Sequence, residues 1–185
     1  MNGWRENVMK DLLILGGPMG VGKTTVGQLL KHHYDRCVFL DGDWCWDTHP
    51  FLVTEETKKM VVENIVFLLN QFIKCNDIQT IIFVWVLHEQ SILDSILSKL
   101  QLQDCQVHSL SLICSPDELR KRTQQDVGQG IRSIQDVERG MERIPYYQPM
   151  KTTKIDVTNE TPYETMNHIL CILNRSNKGP SKHTL

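Results

Sequence analysis

Gly17-Pro18-Met19-Gly20-Val21-Gly22-Lys23-Thr24 is the stretch from which the rest of the chain is read. It fits the phosphate-binding pattern G-x-x-x-x-G-K-[ST] at every fixed position. Gly17, Gly20 and Gly22 let the backbone turn tightly and aim its N–H groups inward. Together with the start of a following helix, those groups make a positive nest for phosphate oxygens. Met19, Val21 and Thr25 are expected at the same nest. Lys23 reaches terminal phosphates as a point charge, and Thr24 offers its hydroxyl to Mg2+. The flanks agree with the motif. Leu12-Leu13-Ile14-Leu15 is a short apolar run of the kind a buried parallel strand shows. After the loop, Val26, Leu29 and Leu30 recur at helical spacing.

Working outward, Cys37-Val38-Phe39-Leu40 predicts a second strand running into Asp41-Gly42-Asp43. A polar and aromatic loop, Trp44 to Pro50, follows. Thr54 predicts a helix cap, with Glu55 and Glu56 at the positive end of the dipole. Val61, Ile65, Leu68, Leu69 and Phe72 mark the apolar face of that helix. Residues 80–87 are the most apolar run, rich in β-branched and aromatic side chains, and read as a central strand. Its end carries His88-Glu89-Gln90, and Ser91 is placed as the cap of the next helix. Residues 107–114 predict a fourth strand. Ser115-Pro116-Asp117-Glu118 starts a helix with a cap, an N1 proline and a capping-box glutamate. A glycine-containing segment follows from Gly128 to Arg132, then a helix over 134–147, a short strand over 153–157, and a last helix opened by Thr161-Pro162-Tyr163-Glu164.

Strands alternating with helices predict an α/β three-layer sandwich around a five-stranded parallel sheet. Ligands of such sheets gather at the carboxyl ends of the strands. The phosphate loop, Asp41-Gly42-Asp43 and His88-Glu89 all fall at those ends, so one candidate site is assembled from three separated stretches.

Composition narrows the function further. The chain has 185 residues, 41% hydrophobic and 23% charged, with a formal net charge of -2. That length suits one domain, and that charge offers no basic field for nucleic acid. No apolar run is long enough to span a bilayer, and residues 1–10 show no apolar export signal. The six cysteines form no C-x-x-C pair and the seven histidines no zinc spacing. Reduced thiols and a cytoplasmic location are the expectation. A monomer and a homodimer both fit the sequence.

The order of these motifs resembles the nucleoside-monophosphate and shikimate kinase superfamily of P-loop small-molecule kinases. Leu40-Asp41-Gly42-Asp43 is similar to the corresponding string of adenylylsulfate and gluconate kinases. The resemblance implies ATP and Mg2+ as cofactors and a small-molecule phosphoryl acceptor. It covers a kinase domain over 11–173, after an extension over 1–10; residues 174–185, with almost nothing to bury, read as a disordered tail. Within the domain it implies an acceptor-binding region at about 44–75 and a mobile lid at about 124–133. By the same resemblance, Thr24 and Asp41 hold the metal, Asp43 contacts the acceptor, Arg122 lies against adenine, and Arg132 closes on the phosphates. Residues 156–159, with Thr158, fall where the family shapes the adenine pocket. The arginine signature for the shikimate carboxylate is missing, so the reaction carries over better than the substrate.

Plainer readings stand beside these. Asp41 and Asp43 are also ordinary turn residues around Gly42, and Arg122 and Arg132 also suit a solvated surface. Arg139 and Arg143, four apart, share a helix face. They either aid phosphate binding or face water. Trp44 and Trp46 point the same way in an extended loop, stacking on a planar or sugar-like substrate or plugging the domain edge. Trp85 reads as core, and His88 as a substrate contact or a polar strand end. The alternative to a kinase is a nucleotide-binding switch or a silent ATP-binding module. Against a switch or motor, the chain lacks N-K-x-D and D-x-x-G strings, and the 80–87 strand has no aspartate at its tip.

Overall fold

A computed structural model of the chain describes residues 9–128 and 133–177. Residues 129–132, with Gly130 and Arg132 of the expected lid, residues 1–8 and residues 178–185 lie outside the described residues. Five strands, β1 (Lys10–Gly16), β2 (Cys37–Asp41), β3 (Thr80–Val84), β4 (Cys105–Ile113) and β5 (Thr153–Asp156), form one sheet. Every pair is parallel and the order is β2-β3-β1-β4-β5. β1 stands in the middle of the sheet, paired with β3 and β4, and β3, from the 80–87 run, is also an interior strand, paired with β1 and β2. Both strands have neighbours on two sides, so apolar content does not separate them.

Period-two alternation explains the three layers. Leu13 and Leu15 of β1, with Ile82 and Val84 of β3, face one way and meet Val26 and Leu30 of α1 (Lys23–His33). Ile169 and Leu173 of α6 (Pro162–Asn177) join the same layer. Leu12, Ile14, Ile81 and Phe83 face the other way, onto Val61, Ile65 and Leu69 of α2 (Glu55–Lys74) and Leu93 and Ile96 of α3 (Gln90–Leu97). These strand residues are at most 1% exposed, and burying each aliphatic side chain contributes about 1.5–3 kcal/mol before entropy. Gly27 lets α1 lie close on the sheet, because a Cβ there would stand 2.5 Å from the Phe39 ring.

Caps and boundaries follow local chemistry. Thr54 accepts from the Thr57 amide at 3.1 Å while Thr57 Oγ1 accepts from the Thr54 amide at 2.9 Å, a reciprocal capping box. Ser115 caps α4 (Pro116–Gly128) through the Glu118 amide. Glu89, rather than Ser91, is the N-cap of α3, and no side chain caps it. The chain there is already turned by Leu87, at φ 38°. α5 covers Ile134–Arg143, and Pro145 converts the expected continuation into a 3-10 turn at Ile144–Tyr147. The last helix reaches Asn177, so the first four residues of the expected tail are helical. No helix among the described residues is long and apolar enough to cross a membrane.

Candidate active site

β1 ends at Gly16, and the phosphate loop leaves the sheet at the carboxyl ends of β1 and β3. Its first residue, Gly17, donates its N–H to Val86 O at 3.3 Å, and Val21 N–H closes a turn on Pro18 O at 3.3 Å. Gly22 is the N-cap of α1 at φ 104°. Nothing stands within 4 Å of a Cβ placed there, so glycine is required by conformation alone. Gly20 combines φ 84° with a close neighbour, the Thr123 methyl of α4, which a Cβ would strike. α5 also crosses the loop, since a Cβ at Gly140 would sit 3.4 Å from Met19 O. Lys23 folds back over the loop, its Nζ donating to Gly17 O at 2.8 Å and Pro18 O at 2.9 Å. Thr24 and Thr25 open α1 on its exposed side.

Asp41 meets the loop. Thr24 Oγ1 donates to Asp41 Oδ2 at 2.9 Å, joining the first turn of α1 to the tip of β2. Asp41 is buried, and its second oxygen accepts the Asp43 amide at 3.1 Å. A hydroxyl and a carboxylate at this separation are hard oxygen donors that suit Mg2+, which is commonly held by one or two carboxylates plus phosphate oxygens. Among the described residues no three His, Cys, Asp or Glu side chains gather as a metal cluster. Asp43 is exposed, and its Oδ1 accepts the indole N–H of Trp85 at 3.1 Å. Trp85, assigned to the core by its sequence context, is buried but keeps this polar contact with the site. The signal was available: a buried indole N–H requires an acceptor.

Arg122 lies beside a cleft of about 320 Å³ between α1, α4 and α6, lined by Val21, Gly22, Val26, Lys121 and Pro162. Its Nε donates to Glu118 Oε1 at 2.8 Å, Nη1 to Val21 O at 3.2 Å, and Nη2 to Val157 O at 2.8 Å. These bonds lie along the edge of the guanidinium, and a guanidinium stacks through its face. The bond from Arg122 holds the Glu118 carboxyl below its ordinary range. Thr158 acts as a brace. Its Oγ1 accepts the Ser115 amide at 2.9 Å and donates to Asp156 Oδ1, which ties the β5–α6 loop to the start of α4.

His88 stands at a second cleft of about 430 Å³, lined also by Glu89, Ser91, Tyr146 and Met150. Leu87, buried and in the left-handed region, sets its direction. Tyr147 pins the neighbouring turn by donating its hydroxyl to Val86 O at 2.7 Å, the carbonyl that also receives Gly17 N–H. His88 Nε2 is 3.3 Å from Glu89 Oε1, while the buried Nδ1 has no hydrogen-bond partner among the described residues. Burial first, then the charge of Arg143, lowers the His88 pKa, and Glu89 opposes them.

Trp44 and Trp46 do not lie in an extended loop. Residues Gly42–Trp46 form a 3-10 turn, so the alternation that put both side chains on one face is absent. Trp44 is 61% exposed with its ring edge-on to Phe39 at 5.5 Å. Trp46 donates its indole N–H to Leu52 O at 3.2 Å and lies beside Phe51. Arg139 and Arg143 are both on α5, and Arg143 acts electrostatically on His88 and Tyr147.

Over residues 13–139 the sequence matches the AAA domain family. The structure is similar to a gluconokinase from Sinorhizobium meliloti 1021, at TM-score 0.66 and 16% identity over 91% of this chain and 94% of that one. It is similar to the tunicamycin resistance protein of Deinococcus radiodurans, at 0.65 and 17%, over 89% and 95%. It is also similar to the shikimate kinase of Acinetobacter baumannii in complex with shikimate, at 0.58 and 20%, over 93% and 96%. The sheet order and the phosphate loop are those of a P-loop kinase-like fold. No curated protein matches the chain in sequence.

Proposed function

The chain belongs to the AAA domain family, and from that premise we propose an ATP-dependent phosphotransferase that moves the γ-phosphoryl group to a hydroxyl or phosphate of a small metabolite. The observation that carries this reading is the 2.9 Å bond between Thr24 of the phosphate loop and Asp41, with Asp43 two residues on. It brings a metal-binding hydroxyl, a carboxylate for metal-bound water and a carboxylate for the acceptor to one strand end.

The work of phosphoryl transfer is positioning and charge stabilisation. Backbone N–H groups of the loop hold the phosphates, and Lys23 exchanges its two loop carbonyls for phosphate oxygens. Thr24 and Asp41 would hold Mg2+, which neutralises charge on the phosphates when bound. Asp43 orients the acceptor and takes its proton. Arg122 offers the face of its guanidinium to the base, in the cleft beside Val21 and Pro162. The acceptor lies toward residues 44–75 and the His88 cleft, within reach of Trp44. The lid is residues 124–133, with Arg132 as the arginine that meets the transferring group. Closure excludes water, which would otherwise compete with the acceptor. A cytoplasmic setting agrees with six cysteines that form no disulfide.

The test is ADP release from Mg·ATP, alone and with a panel of sugars, sugar acids, nucleosides and nucleoside monophosphates. Stimulation by one class of acceptor is expected. Slow turnover that no acceptor changes would overturn the transferase and leave the ATP-binding module.

A further inference from the structure

The parallel register of β2 and β3 pairs Asp41 with Val84. One residue further along, Gly42 meets Trp85. The contact is close: a Cβ at Gly42 would stand 2.5 Å from Trp85 Cγ, 2.6 Å from Cδ1 and 2.9 Å from Cδ2. A glycine between the two aspartates is thus required by the indole lying on it, whatever its turn preference. The ring is itself held. Trp85 N–H donates to Leu15 O at 3.2 Å, which continues the β3–β1 pairing past the end of β3. The side chain is 8% exposed and belongs to the apolar cluster that includes Leu40 and Tyr147. From there the indole N–H reaches Asp43 Oδ1 at 3.1 Å. The Asp43 amide is fixed in turn by Asp41 Oδ1.

We infer that Trp85 is a positioning residue: its ring roofs Gly42 and its indole N–H orients the Asp43 carboxylate. The inference rests on the acceptor-binding role proposed for Asp43. A continuous chain runs from Thr24 hydroxyl to Asp41 carboxylate, to Asp43 amide, and from Asp43 carboxylate to Trp85 indole. Asp43 is thereby held at both its backbone and its side chain, so the carboxylate for the acceptor keeps a fixed relation to the one proposed for metal-bound water. A buried aromatic loses little freedom in doing this, and misplacement of a reacting group by about 1 Å costs on the order of a hundred-fold in rate.

The test separates shape from hydrogen bonding. Trp85→Phe keeps a ring over Gly42 and removes the donor. Replacement of Trp85 by β-(3-benzothienyl)alanine keeps the bicyclic shape and puts sulfur where the N–H was, which answers any packing fault of the phenylalanine. For both, the kcat of acceptor-stimulated ADP release from Mg·ATP is expected to fall about ten- to a hundred-fold. The KM for ATP and the melting temperature of the benzothienyl protein stay at wild-type values. In 15N-labelled wild-type protein, the indole N–H resonance of Trp85 is expected to move when Asp43→Asn is introduced. A benzothienyl protein with wild-type kcat, beside an Asp43→Asn protein that has lost turnover, overturns the positioning role and leaves the catalytic reading of Asp43 standing. If Asp43→Asn turns over normally, the catalytic reading fails and Trp85 has nothing to position. An indole resonance indifferent to Asp43→Asn removes the contact itself.

Discussion

The two sides of the cleft are built by different means. On the phosphate side, eight consecutive residues make the site, and most of its donors are backbone N–H groups whose direction is set by positive φ angles at Gly17, Gly20 and Gly22. On the proposed acceptor side, nothing is consecutive. Asp43 follows β2, the indole that reaches it is 42 residues away, and His88 follows a left-handed leucine. Its cleft is closed by Tyr146, which comes from beyond α5. A backbone nest recognises phosphate, which nucleotides share, whereas a set of side chains from separate elements can be changed one at a time to suit one acceptor.

The largest effect expected from this difference is at Asp43. Asp43→Asn keeps size and turn preference, so the nucleotide Kd should stay near wild type while transfer falls by roughly two to four orders of magnitude. Calorimetric titration beside turnover measures both. A parallel loss of nucleotide affinity would show that the two sides are not separable.

Lys23→Ala probes the other side. Removing one preorganised charge from the phosphates should lower turnover by about a hundred- to a thousand-fold and weaken ATP binding with it. The far-ultraviolet circular dichroism spectrum should be unchanged, because Lys23 opens α1 at the surface and its Nζ bonds to the Gly17 and Pro18 carbonyls of its own loop. A folded Lys23→Ala protein with ordinary turnover would remove the phosphate assignment.

A smaller effect is expected from His88, and it depends on pH. The folded protein holds this proton more weakly than the unfolded chain, through burial and Arg143 against the opposing Glu89. The unfolded chain therefore takes up more protons as the pH falls below about 6.5. The stability contributed by the neutral imidazole is complete above that pH and is lost as the pH falls through the lower folded value. Urea midpoints between pH 8 and pH 5 should decline less steeply for His88→Gln than for wild type. Equal slopes would mean that His88 titrates as it does in the unfolded chain.

Thr54→Ala should act on stability alone. Loss of the cap costs about 1 kcal/mol, a fall of about 2–4 °C in Tm for a domain of this size. α2 lies within the proposed acceptor region, so nucleotide affinity should not move. A change in ATP affinity would tie that helix to the phosphate side.

Most of the fold was legible because its causes are local. The phosphate loop is specified by its own glycines, the strands by apolar runs, and the helix starts by Thr54, Ser115 and Thr161 with their partners three residues on. The candidate site was legible only where such local elements end side by side, as with Thr24 and Asp41. The place of β1 in the middle of the sheet, the roof that Trp85 makes over Gly42, the 3-10 turn that separates Trp44 from Trp46, and the buried nitrogen of His88 depend on strand order and register. Sequence by itself determined a parallel α/β fold and a phosphate-binding loop, since hydropathy period and backbone freedom are properties of neighbouring residues. The tertiary structure alone decided which side chains surround the Asp43 carboxylate, because a hydrogen bond between residues 43 and 85 exists only once β2 and β3 lie next to each other in one register.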